Sequence, residues 1–229
     1  MTQITDHLRQ VRDRVKKAAS DAARSADEIT IVAVSKKHPV TAIEAAYAAG
    51  QCDFGENFVQ EAATKIEALN RPDIRWHFIG HIQANKTKDV ARLFDWVHTI
   101  DRIKVARRLN DQRPHYAAPL NVCIQVNLAE EPQKGGAAAD EVAGLAEAIL
   151  ELPRLRLRGL MTMPPVDAGD ATSKALFLEL AGIKSTLVAK GLELDTLSMG
   201  MSADLETAVT CGSTIVRIGT AIFGSRDRS

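Results

Sequence analysis

Runs of β-branched and aliphatic residues bounded by turn signals recur at 29–36, 53–57, 75–80 and 96–100, and again at 121–127, 155–161, 196–201 and 213–219. Nearly every gap between them carries apolar residues at helical spacing. Between the first two runs, Pro39 stands near a helix start and Gly50 follows its end, where a missing N–H and a permissive φ are each useful. Phe58, Ala62, Ile66 and Leu69 mark one face of the next helix. Later, Ser202 is placed to cap a helix with Asp204 in its first turn and Gly212 at its end. Ahead of the first strand, Ile4, Leu8, Val11, Val15 and Ala18 form a single stripe, as in a helix laid on the outside of a domain.

Eight strand-helix repeats imply a parallel sheet. The fold class expected is α/β, a single (β/α)8 TIM barrel with an additional N-terminal helix; an open doubly wound sheet is the alternative. No linker interrupts the alternation, so residues 1–229 are expected to form one domain. The irregular loop 129–140 follows the fifth strand and, in a barrel, lies on the functional face.

Bulk properties narrow the partners. Hydrophobic residues make up 45% and charged residues 25% of 229, an ordinary globular balance. With 29 basic and 29 acidic residues there is no net positive field to gather nucleic acid or anionic lipid. Cys52, Cys123 and Cys211 are an odd number without metal-ligand spacing, which points to reduced thiols. The N-terminus lacks an apolar signal region and no later segment reaches the length of a membrane span, so a cytoplasmic protein is expected.

The first strand reads VAVSKKHP. A period of two places Val32, Val34 and Lys36 on one face and aims Lys36 into the barrel at its C-terminal rim. A desolvated lysine loses its proton more readily, and the neutral amine is the form that attacks an aldehyde. A solvated strand end is the competing reading and describes Lys37 well. In barrels, phosphate is commonly bound after the seventh and eighth strands, where Ser202, Gly219 and Thr220 stand. Either turn alone is explained by tight-turn geometry or helix capping; together they favour an anion. Arg217, two residues before Gly219, should also face inward and needs a partner, for which an acidic residue is the plain candidate. His77 and His81 straddle a strand and its turn, so no metal site is expected.

The segments VAVSK, FGENFVQE, WHFIGHIQANK, VCIQVN, LRLRGLM, LSMGMSADLE and GSTIVRIGTAIFG, in this order, give the chain a close resemblance to the pyridoxal phosphate homeostasis protein family. That family is related in fold to the barrel domain of alanine racemase. The resemblance implies pyridoxal 5′-phosphate (PLP) as cofactor, with Lys36 forming the internal aldimine. It further implies that Ser202, Gly219 and Thr220 hold the phosphate, that Arg217 meets the pyridine nitrogen and that Asn57 lies beside the ring. The fifth-strand loop reads QKGG where the family has a Lys-Ser-Gly run.

An arginine opposite the ring nitrogen can donate a hydrogen bond but cannot leave the ring cationic, which weakens carbanion stabilisation. Alanine racemase adds a β-rich domain and a tyrosine base. Here the chain is expected to have no room for that domain after its eighth strand, and Tyr47 and Tyr116 fall away from the strand C-termini. A binding protein rather than an enzyme is therefore expected, a monomer that holds PLP and passes it to apo PLP-dependent enzymes. Lys134 in the mouth loop is a possible second amine for transfer. The alternatives are a PLP-dependent racemase-like enzyme, a phosphosugar Schiff-base lyase without cofactor, and a cofactor-independent scaffold.

Overall fold

The computed structural model describes residues 3–131 and 135–224. The chain opens with helix α1 (Gln3–Asp21) and then alternates. Strand β1 (Thr30–Val34) leads to α2 (Val40–Ala48), β2 (Asp53–Glu56) to α3 (Val59–Leu69), and β3 (Arg75–Phe78) to α4 (Thr87–Leu93). Then β4 (Trp96–Ile100) leads to α5 (Ile103–Gln112), β5 (Leu120–Gln125) to α6 (Val142–Leu150), and β6 (Leu155–Met161) to α7 (Asp170–Ala189). Finally β7 (Thr196–Ser198) leads to α8 (Leu205–Thr210), and β8 (Ile215–Ile218) to the single turn α9 (Thr220–Phe223). Each strand pairs in parallel with the next, and β8 closes on β1 with Val32 opposite Arg217, so the sheet is a closed (β/α)8 barrel.

Alternation along the strands divides the interior into two shells. Phe54, Phe78, Val97, Ile124 and Leu160 point outward and share one apolar cluster with helix residues such as Ile43, Leu109, Ile149 and Phe177. Full burial of each large side chain contributes about 1.5–3 kcal/mol, so this outer shell carries much of the stability. The opposite face of each strand looks down the barrel axis, where Val32, Val34 and Ile79 pack so closely on Gly55 that a Cβ there would lie 2.9 Å from Val32.

The stripe expected on α1 is present: Leu8, Val11, Val15 and Ala18 are buried, and the helix packs on α8, α9 and α2. Arg14 ties it to the turn after β7, donating to Ser202 O at 3.0 Å and to both carboxylate oxygens of Glu206. At the far end of the chain, His7 Nδ1 lies 3.1 Å from Ile222 O.

Three local expectations are corrected. Strand β1 stops at Val34, so Lys36 sits in the following turn rather than on the strand. Phe58 is exposed because it precedes α3 in extended backbone and lies off the helical wheel; Ala62 and Leu69 are buried as expected. Ser202 does not cap α8. Asp204 holds the N-cap position, and its carboxylate accepts from Met201 N at 2.6 Å, fixing the turn. Among the described residues, no helix is long and apolar enough to cross a membrane. Cys123 and Cys211 are buried and Cys52 is half-buried; all three are free thiols, and burial pushes Cys123 up to about 12.

Candidate functional site

All six expected site residues lie at or just beyond the C-terminal ends of four consecutive strands in the ring: β7, β8, β1 and β2. Ser202 follows β7, Arg217 is the third residue of β8 with Gly219 and Thr220 directly after it, Lys36 follows β1, and Asn57 follows β2. Parallel strands in adjacent register bring residues far apart in sequence to one rim. The described part of the fifth-strand loop folds back on β5, with Asn127 N donating to Ala137 O at 3.0 Å. Lys134 lies outside the described residues.

Lys36 is half-buried, and the turn that carries it is built on an ionic strut. Lys65, from α3, is buried and donates to Ser35 O, Glu56 Oε1 and Glu61 Oε1, each at 2.7 Å. Ser35 Oγ donates to the same Glu56 oxygen at 2.7 Å. Glu61 also accepts the N–H of Lys37, whose φ of 64° is a left-handed conformation that costs a residue with a side chain roughly 1–2 kcal/mol. Burial raises the Glu56 carboxyl above its usual range, against the opposing hydrogen bonds from Lys65 and Ser35. On the other side of Lys36, the His38 ring stacks on Phe223 of α9 at 5.0 Å, joining the β1 turn to the β8 turn.

The turns after β7 and β8 are also joined. Ser202 Oγ accepts from Ala221 N at 3.3 Å, which places the half-buried serine beside the exposed Thr220 and half-buried Gly219. Deeper in the barrel, Arg217 is 3% exposed and has no carboxylate partner among the described ion pairs. Its terminal nitrogens donate to Ser198 Oγ at 2.7 Å and to Thr162 O at 2.9 Å, so neutral acceptors take the place of the expected acid. Burial brings this guanidinium down to about 10. Asn57 Oδ1 is buried and meets no donor among the described residues, while its backbone carbonyl sits 2.1 Å from where a side chain on Gly80 would begin.

The strut residues Glu56, Glu61 and Lys65, and the Arg217 partners Ser198 and Thr162, were not among the expected site residues. One signal for Lys65 is available in sequence: it adjoins Ile66 on the apolar face of α3. A broad cleft of about 820 Å³ at the opposite end of the barrel, between Arg158, Leu192 and Asp195, contains none of the residues above. Chemically, the rim offers an amine, two turns tied together through Ser202, and the buried Arg217 cation.

A family model described as "Alanine racemase, N-terminal domain" matches residues 7–227. The pyridoxal phosphate homeostasis protein of Escherichia coli (strain K12) is 49% identical over 232 residues, covering 100% of this chain and 99% of that protein. The protein of the same name from Pseudomonas aeruginosa is 48% identical, covering 99% and 97%. Among solved structures, PipY of Synechococcus elongatus PCC7942 with PLP bound has a TM-score of 0.86 and 35% identity, covering 97% of this chain and 100% of that one.

Proposed function

The chain belongs to the pyridoxal phosphate homeostasis proteins, within the alanine racemase N-terminal domain family, and on that premise we propose that it binds PLP at the β7–β8–β1–β2 rim and serves PLP homeostasis. The observation that carries the reading is the gathering of Lys36, Asn57, Ser202, Arg217, Gly219 and Thr220 on four neighbouring strands.

The residues present fit the cofactor. The orphaned, buried Asn57 Oδ1 is a polar atom waiting for a donor. At the joined β7 and β8 turns, the hydroxyls of Ser202 and Thr220 and the Thr220 N–H suit a phosphate. Gly219 passes close to β1, where a Cβ would lie 3.4 Å from the Val34 carbonyl oxygen. Lys36 is assigned to condense with the aldehyde, Ser202, Gly219 and Thr220 to hold the phosphate, Arg217 to face the pyridine nitrogen, and Asn57 to lie beside the ring.

When bound, PLP supplies a reactive aldehyde and an electron sink. The chain's own residues favour retention over turnover. Arg217 presents only donors to the ring nitrogen and, even lowered by burial, stays protonated near neutral pH, so it orients the ring without giving up a proton to it. Tyr47 is committed to Asp73, its hydroxyl donating at 2.7 Å, and Tyr116 is 87% exposed, so neither stands at the rim as a base. Delivery to apo PLP-dependent enzymes is the corresponding outlet.

Borohydride reduction of the PLP-loaded protein, followed by peptide mass mapping, tests the reading. The reduced adduct is expected on Lys36, with the visible band lost. A colourless protein, or an adduct distributed over surface lysines, overturns it. Free amino acids turned over at enzymatic rates, with loss of that turnover in Lys36→Ala, would establish the racemase-like alternative.

A further inference from the structure

An unbroken line of polar side chains runs through the barrel interior from its N-terminal end to Arg217. Arg75 Nε and Nη2 donate to Asp53 at 2.6 and 2.5 Å. His77 Nε2 lies 3.0 Å from Asp53 Oδ1, and His77 Nδ1 lies 3.0 Å from His98 Nε2. His98 Nδ1 is 2.7 Å from Ser198 Oγ, which in turn accepts from Arg217 Nη1 at 2.7 Å. The line spans β2, β3, β4, β7 and β8, and His98 and Ser198 are completely buried. Polar groups in such a place are costly unless each finds a partner, and here consecutive members satisfy one another.

The chemistry of the groups fixes the direction of the line. A carboxylate only accepts, so His77 carries its hydrogen on Nε2 towards Asp53. A neutral His77 then accepts at Nδ1 from His98 Nε2–H. That leaves a lone pair on His98 Nδ1, which takes the Ser198 hydroxyl hydrogen. Ser198 Oγ is left with lone pairs only, turned to Arg217. The opposite direction needs a doubly protonated His77 and deprives the Ser198 hydroxyl of its one acceptor among the described contacts. It also crowds a second cation towards Arg217. Burial above all holds the His98 ring well below the usual histidine range, in keeping with a neutral ring.

Arg217 depends on this arrangement because, among the described residues, Ser198 Oγ and Thr162 O are the acceptors that orient it. We propose that His98 is a positioning residue for Arg217: it aims Ser198 as an acceptor at the guanidinium, its own tautomer being set by His77 and Asp53 from the far end of the barrel. This rests on the reading of Arg217 as the group facing the pyridine nitrogen of PLP.

The first test needs no substitution. Nitrogen-15 NMR of the histidine rings in the cofactor-free protein is expected to show His98 as the Nε2–H tautomer; an Nδ1–H or doubly protonated ring overturns the proposal. The second compares the visible spectrum and the PLP affinity of wild type, Arg217→Gln, His98→Leu and His98→Asn. His98→Leu should shift the absorption maximum and weaken binding roughly fivefold, the factor attached to one lost hydrogen bond. His98→Asn retains an acceptor near the Nδ1 position and should restore both values. Equal changes in the two His98 variants would mark a packing effect and overturn the proposal, as would an unchanged His98→Leu. If Arg217→Gln leaves the spectrum untouched, the underlying placement of Arg217 fails instead. Should His98→Leu not fold, the tautomer measurement decides.

Discussion

Lys65 Nζ and Glu56 Oε1 meet at 2.7 Å in the buried space beneath the turn that carries Lys36. The ammonium has no water to fall back on, and neither has the carboxylate. Removing one partner strands the other, a loss of about 3–5 kcal/mol for a buried pair. Lys65→Met should therefore lower the urea midpoint sharply, and the double variant Lys65→Met/Glu56→Gln should recover most of that loss. A single variant as stable as wild type would show that the pair does not support the turn.

Gly80 and Asn57 approach so closely that a Cβ on residue 80 would lie 2.1 Å from the Asn57 carbonyl oxygen. The obstacle is backbone, which cannot rotate aside. Gly80→Ala should destabilise the protein by about 1–3 kcal/mol and displace Asn57, weakening PLP binding as well. Denaturation and a PLP titration on the same variant check both effects; full affinity in a destabilised variant would separate Asn57 from the cofactor site.

Ser202 is expected to contribute one hydrogen bond to the phosphate. Ser202→Ala should weaken PLP binding by about 1 kcal/mol, roughly fivefold, while the borohydride adduct stays on Lys36. Inorganic phosphate should compete with PLP less well in the variant. Unaltered binding of both ligands would place the phosphate elsewhere.

The buried imidazole of His98 gives stability a particular pH dependence. Its folded-state pKa is held well below 6.5 by burial, so below pH 6.5 the unfolded chain takes up a proton that the folded chain refuses. Stability is then full above 6.5 and falls as the solution is acidified, approaching ~1.4 kcal/mol per pH unit for one proton. Urea denaturation between about pH 7 and about pH 5 should show a shallower fall in His98→Asn than in wild type. Equal slopes would mean that His98 is protonated in the fold.

The repeat architecture was legible because strand and helix periods are local. All eight strands fall within the expected runs, apart from the one-residue extension of β5 to Leu120, and the stripe on α1 is the one expected. Strand ends were less legible. Expected runs passed into the C-terminal turns, as at 196–201, because residues such as Met199 and Met201 keep an apolar character after the strand has stopped. The partners of Arg217 were not legible at all. Ser198 and Thr162 lie 19 and 55 residues away in sequence, and only closure of the barrel brings them together. One clue was present: Asp53, His77, His98 and Ser198 are polar residues at buried strand positions, which an apolar barrel core would not choose.

The pairing of β1 with β8 has a consequence for biosynthesis. Lys36 leaves the ribosome early, yet the strand that completes its surroundings, and the turn meant to grip the phosphate, are among the last segments made. Until β8 emerges, the nascent chain presents an amine without a cradle. On the proposed placement of the site, cofactor loading therefore waits until translation is nearly finished.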